Sequence, residues 1–261
     1  MIDTNATFIV AMSIIAAPWM ASFGMLLGDR WSPNMPLARY LKSTANEKSI
    51  CDFCREPINP LALTAILGWI VHRGRCQCGL QKVSWTYPAG ETLALAIMCG
   101  ATWVYGPSAW PLTLIIAGMA SAIRSDIAHC EIHEVAAILT AVGSLTFWWL
   151  NDGSAETLVT AGAMIVLCVG IYEVYRRRGR IDAIPLGDIM ILAALSPLFT
   201  FDRGLLFFVA LPFGAILTKK WLKSGAEVFP FAPAIGLSAA ISLIPVNGLS
   251  MQIDRIIALF I

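Results

Sequence analysis

Charge is scarce in this chain. Of 261 residues, only 13% are Asp, Glu, Lys or Arg, while 57% are hydrophobic. An ordinary soluble domain carries about 25% charged residues, so a water-soluble fold is excluded, and a mean hydropathy of +0.71 agrees. No Lys or Arg precedes the first apolar run, which starts near Phe8; the first basic residue is Arg30. A cleavable signal peptide needs a basic start and a small-residue cleavage site, so this run is expected to be a retained first helix with its N-terminus outside. There is no internal repeat, no low-complexity tract and no Gly-x-Gly-x-x-Gly loop for a dinucleotide-type cofactor. The net charge of +1 carries no basic excess, and no nucleic-acid partner is expected.

What is present in abundance is long apolar sequence. A membrane helix needs about 20 apolar residues. Eight candidate spans can be drawn, over roughly 8–28, 90–106, 110–124, 134–150, 157–175, 187–201, 204–218 and 230–246, separated by turn sequences such as Gly106-Pro107-Ser108 and Asn151-Asp152-Gly153-Ser154. The positive-inside rule tests this division. Sixteen of the 18 Lys and Arg fall on one face: eight in the long polar loop, then Arg124, the Arg176–Arg180 cluster and the Lys219–Lys223 cluster. Only Arg203 and Arg255 fall elsewhere. The predicted fold is therefore an all-α polytopic membrane protein with about eight transmembrane helices. Its parts are a first helix over 1–28, a cytoplasmic domain over 29–90 and a membrane domain over 91–261. The two basic clusters are expected to meet anionic lipid headgroups.

The polar loop carries four of the seven cysteines, Cys51, Cys54, Cys76 and Cys78, in the pattern C-x2-C-x21-C-x-C. Two close thiolate pairs can close a tetrahedral Zn2+ site with no open position, which makes it structural rather than catalytic. A reducing cytoplasm disfavours the disulfide alternative, and a small polar loop needs such a clamp to fold. Cys99, Cys130 and Cys168 read as small apolar filler.

Two aspartates stand at the edge of the apolar runs. Asp126 follows the third span and Asp188 opens the sixth. The charge-derived topology puts both at the cytoplasmic end, at one depth. Two carboxyls that approach closely share a single proton, so one can activate water while the other protonates the carbonyl oxygen. The alternatives are structural: Asp188 as a helix-start carboxylate, Asp126 as the partner of Arg124. His129 and His133, at i and i+4, also leave open a metal reading.

At this point the motifs resemble a known family, the type IV prepilin peptidases, which are intramembrane aspartyl proteases of the Gly-x-Gly-Asp type. The resemblance runs in order along most of the chain. Ala21-Ser22-Phe23 resembles the family's Gly-Ser-Phe. His72-Arg-Gly-Arg-Cys76 resembles the approach to the second cysteine pair, and Tyr87-Pro-Ala-Gly-Glu91 resembles Tyr-Pro-x-x-Glu. Asp126 with Ile132 resembles the first catalytic segment and Gly187-Asp188 the second. Phe229-Pro-Phe-Ala-Pro233 resembles the opening of the last span. The chain departs from the pattern at Pro185, Met190, His133 and the C-x-C pair, which marks a divergent member. The resemblance implies an inner-membrane enzyme of type IV pilus or type II secretion systems. It implies cleavage of the basic leader from prepilin or pseudopilin substrates at the cytoplasmic membrane surface, with Asp126 and Asp188 catalytic. It further implies, as in many members, N-methylation of the new N-terminus with S-adenosylmethionine. Two other readings stand beside it: a non-catalytic, zinc-stabilised scaffold in pilus or secretion assembly, and a transporter using the aspartates as cation sites.

Overall fold

A computed structural model describes residues 4–46, 54, 56, 58, 65–75, 82–151, 153–179, 185–222 and 230–243. Among these the regular structure is helical, with one isolated bridge between Arg75 and Lys82. The long helices are α1 (Thr4–Arg30), α4 (Thr86–Tyr105), α5 (Leu112–His129), α6 (Glu134–Asn151), α7 (Ala155–Arg177) and α9 (Phe201–Leu222). Two shorter ones, α8 (Leu186–Leu195) and α10 (Ala232–Leu243), complete the bundle, and α2 (Leu37–Asn46) and α3 (Ala65–Val71) lie in the polar segment. Each apolar run expected to span is helical in the structure. Three of these helices, α1, α7 and α9, are long and apolar enough to cross a membrane. Cys51, Cys76 and Cys78 lie outside the described residues, as does the chain after Leu243.

The packing has the character of a bundle made for lipid. Along α1 most buried positions are small: Ser13, Ala17, Ala21, Gly24 and Gly28, beside Pro18, Met25 and Leu27. Phe8, Met12, Ile15, Trp19 and Phe23 on the same helix are exposed. In water such an apolar face would be an aggregation site; in a bilayer it is the lipid face, and small residues let helices approach closely. A Cβ at Gly24 would stand 2.2 Å from the Ala117 carbonyl oxygen, so α1 and α5 touch backbone to backbone there. Buried hydroxyls turn to their own helices, since nothing else can satisfy them in hydrocarbon. Thr140 donates to the Ala136 carbonyl at 2.9 Å, and Ser238 to that of Ala234 at 2.8 Å.

Helix α5 is central, lying against α1, α4, α6 and α10. Helices α6 and α8 pack together, and α9 and α10 form a pair. Asp126 and Asp188, the aspartates singled out in the sequence, lie where α5 ends and α8 begins, beside the start of α10.

Candidate active site

Asp126 lies inside α5, in its last turn, rather than after the helix as the apolar run had indicated. Hydropathy falls off at Arg124, but the backbone continues helically to His129 and stops at Cys130, which adopts a left-handed conformation at φ 53°. Its amide closes the turn on the Asp126 carbonyl at 2.8 Å. The chain reverses through Glu131 and Ile132, and α6 begins at Glu134.

The Asp126 carboxylate is buried and held from across the bundle. Its Oδ2 accepts the amide of Ala232, the first residue of α10, at 2.7 Å, and the Phe231 amide donates to the same carboxylate. A helix N-terminus offers free N–H groups and a positive dipole end, both suited to a carboxylate. The Phe-Pro-Phe-Ala-Pro motif thus meets the first aspartate through its backbone. The alternative partner, Arg124, is engaged elsewhere: its Nε donates to Asp29 at 2.6 Å. Tyr87 donates to the other Asp29 oxygen, and the Arg124 guanidinium lies 5.7 Å over the Tyr87 ring. Among the described residues no Lys or Arg forms an ion pair with Asp126 or Asp188.

Asp188 sits in the first turn of α8 and is also buried. Gly187 lets it reach this place. A Cβ at Gly187 would lie 2.8 Å from the Ile132 Cβ and 3.1 Å from the Ile132 nitrogen, so α8 presses directly on the reversal that follows Asp126. Asp126 is near enough for its charge to act on Asp188. Both charges also reach Cys130: burial first, then the Asp126 and Asp188 charges, push its thiol up. Unlike Asp126, the Asp188 carboxyl receives no hydrogen bond from a described residue. Pro185 precedes the helix in an extended conformation (φ −60°, ψ 146°), a comfortable place for proline before a helix start. Met190, one of the departures from the family pattern, packs against the apolar core.

His133 is not a metal partner of His129. It is buried beside α5, with its ring stacked on Trp31 at 5.7 Å and edge-on to Tyr40 at 5.3 Å. The Ala136 amide donates to Nδ1 at 3.4 Å, so the proton belongs on Nε2, which faces Ser121 Oγ at 2.8 Å. Ser121 bonds Tyr40, and Tyr40 donates to the Leu27 carbonyl at 3.0 Å. Four elements are tied by this chain. Burial holds the His133 imidazole neutral, with its pKa lowered to about 4, and pushes the Tyr40 phenol up to about 12. Sequence reading missed this network and the role of Asp29; the only local hint was the run of polar residues closing the first span.

Two other motifs also meet. Glu91 is buried in α4 and hydrogen-bonded to Ser22 in α1. Of the four loop cysteines, only Cys54 is described, half-buried. Among the described residues no group of three or more His, Cys, Asp or Glu is placed to hold a metal ion.

The fold and this site define a helical membrane protein with a buried pair of aspartates at one end of its bundle. Comparison with known proteins carries the identification further. Residues 15–105 match the model of the family described as bacterial peptidase A24 N-terminal domain. The chain is 25% identical over 212 residues to a type 4 prepilin-like proteins leader peptide-processing enzyme of Escherichia coli O78:H11, covering 78% of this chain and 77% of that one. It is 26% identical over 223 residues to a prepilin leader peptidase/N-methyltransferase of Dickeya chrysanthemi, covering 80% and 76%. Over 87 residues it is 29% identical to the enzyme of that name in Bacillus subtilis, covering 33% and 35%. No solved structure matches. The chain is a relative of the prepilin leader peptidases, as its motifs had indicated.

Proposed function

We propose that this protein is a prepilin leader peptidase of the bacterial inner membrane, with Asp126 and Asp188 as an aspartyl pair. The observation that carries the reading is the burial of both carboxyls at one end of the bundle, with the Asp126 charge acting on Asp188, in a chain similar to prepilin peptidases. Asp126, oriented by the amides of Phe231 and Ala232, takes a proton from a water held between the carboxyls. The water oxygen adds to the scissile carbonyl carbon, and Asp188 gives its proton to the carbonyl oxygen. The proton taken by Asp126 then passes to the leaving nitrogen as the C–N bond breaks, and a hydroxyl proton of the tetrahedral intermediate returns to Asp188 as the carbonyl re-forms. The basic residues that close α1, α7 and α9 mark this end of the bundle as cytoplasmic, where the basic leader of a prepilin or pseudopilin stays while its apolar helix lies in lipid. Eight spans remain part of this reading; the three helices long and apolar enough to cross and the apolar helices packed with them support it.

Four thiolates at Cys51, Cys54, Cys76 and Cys78 suit Zn2+ by donor type. Bound there, the metal would clamp the cytoplasmic segment and take no part in the cleavage. The names of relatives support an N-methyltransferase activity, S-adenosylmethionine as the methyl donor rests on the family resemblance, and no step is assigned to residues here. Two buried carboxyls, with the Asp126 charge acting on Asp188, favour an enzyme over a scaffold that lost its chemistry. The test is leader cleavage of a prepilin by Asp126→Asn and Asp188→Asn proteins that still insert. Loss in both supports the pair; normal cleavage by either ends the proposal.

A further inference from the structure

At the end of the bundle away from Asp126 and Asp188 lies a cavity of about 250 Å³. It is walled by Tyr105 at the end of α4, Phe147 and Trp148 near the end of α6, Leu198 after α8, and Thr200 and Arg203 where α9 begins. Its place in the bundle is set by Asn151, the last residue of α6, which accepts from Ser108 just ahead of α5, a full helix length from Asp126. None of these residues belongs to the proposed peptidase machinery.

Two polar groups in this cavity lack ordinary partners. The Tyr105 hydroxyl is buried with no hydrogen-bond partner among the described residues. A buried hydroxyl left so carries a desolvation penalty that a ligand oxygen would remove. Arg203 has no carboxylate within ion-pair distance among the described residues, and its guanidinium stands 6.0 Å over the Tyr105 ring. It is also one of the only two basic residues that the charge distribution assigns to the outer face. A cation over the ring of a phenol whose hydroxyl is unpartnered, with Thr200 on the same wall, calls for an oxyanion.

The surroundings identify its source. Trp103 is 90% exposed and Trp149 74% exposed, and Trp110 and Phe201 are exposed at this same end. Exposed tryptophans in a membrane protein gather at headgroup level. The cavity therefore opens among lipid headgroups, and its aromatic walls suit the glyceryl part of a lipid better than a free ion. The volume is below that of a usual small-molecule site, about 300 Å³ or more, and fits a headgroup rather than a whole metabolite.

We propose that this cavity binds the phosphate of an anionic phospholipid in the outer leaflet, through Arg203 and Tyr105. The leaflet rests on the membrane topology proposed above; the site is independent of peptidase activity. It is also distinct from the basic clusters of the opposite face, where Arg176 and Arg177 are already paired with Glu173.

The full chain, purified in a neutral detergent without phosphate, is titrated with phosphatidylglycerol, phosphatidylcholine or sodium phosphate. Thermal unfolding and lipid retention by native mass spectrometry are read together. Phosphatidylglycerol is expected to raise the unfolding midpoint and stay bound, and the other two are not. Arg203→Gln should weaken this response about tenfold or more, as loss of a charged hydrogen bond does. Tyr105→Phe should give effects of opposite sign: a higher midpoint without lipid, because the unpartnered hydroxyl is gone, and weaker phosphatidylglycerol binding. Both variants keep wild-type leader cleavage. Asp126→Asn keeps the lipid response whether or not cleavage is lost, which separates this site from the peptidase proposal. A phosphatidylglycerol response unchanged in Arg203→Gln overturns the site. Equal protection by sodium phosphate overturns the lipid as its ligand.

Discussion

Gly187→Ala is a substitution of one methyl group at the point where α8 meets the reversal after α5. Gly187 lies in ordinary helical conformation, so alanine meets no backbone strain and gains about 1 kcal/mol of helix propensity. What it meets is Ile132. The new Cβ would stand 2.8 Å from the Ile132 Cβ, 3.1 Å from its nitrogen and 3.2 Å from its oxygen. Carbon atoms rest at about 3.5 to 4.0 Å, so α8 and the reversal must part by roughly 1 Å. The cost in stability is about 1 to 3 kcal/mol before the propensity gain. The consequence for chemistry is larger, because Asp188 is the next residue and Asp126 is anchored separately by α10. A displacement of about 1 Å at a catalytic group can cost roughly a hundredfold in rate. The expected outcome is a folded protein whose kcat for prepilin cleavage falls by about 10- to 100-fold with KM little changed. Ile132→Ala retains the offending Cβ and should not rescue it. Gly100→Ala, with nothing within 4 Å of the added methyl, is the control and should leave cleavage intact. The assay is initial-rate leader cleavage in detergent, with thermal unfolding measured in parallel. Wild-type cleavage by Gly187→Ala would refute the claim that this contact sets the carboxyl separation.

Three further outcomes follow from the same geometry. Asp126→Asn and Asp188→Asn should each abolish leader cleavage without loss of membrane insertion, measured by immunoblotting of membranes and of processed pilin. His133 is held neutral when folded, with its pKa lowered from 6.5 to about 4. At this residue the unfolded chain therefore binds more protons in that interval, and the contribution of His133 to stability should fall as pH drops from 6.5 towards 4, read as the difference between wild type and His133→Ala. His133→Ala should remove this dependence and destabilise the protein by about 1 to 3 kcal/mol through the unpaired Ser121 and Tyr40, as read by unfolding midpoints across pH. Cys54→Ser should lower the zinc content measured by elemental mass spectrometry and open the polar segment to limited proteolysis; unchanged metal content would count against the zinc site.

The helices of the bundle were legible in the sequence because lipid imposes a local rule: about 20 apolar residues and then a charged or turn-forming break. Asp126 and Asp188 were legible for the same reason, as carboxyls at the margin of apolar runs. The boundary at Asp126 was misplaced because hydropathy reports solvent, whereas helix ends are decided by backbone conformation, here the left-handed Cys130. Which faces meet was not legible. Arg124 is two residues from Asp126 but bonds Asp29, 95 residues away. Asp126 instead takes the Ala232 amide, 106 residues away. A backbone donor has no side-chain signature, and a pairing across the bundle has no local period. Ser22 with Glu91, Gly187 with Ile132 and His133 with Ser121 are of the same kind. Apolar run length and charge placement alone are enough to establish a helical membrane protein with two marginal aspartates. The tertiary structure alone decided that α8 and α10 both converge on the end of α5, because that depends on which small residues permit contact between helices far apart in the chain.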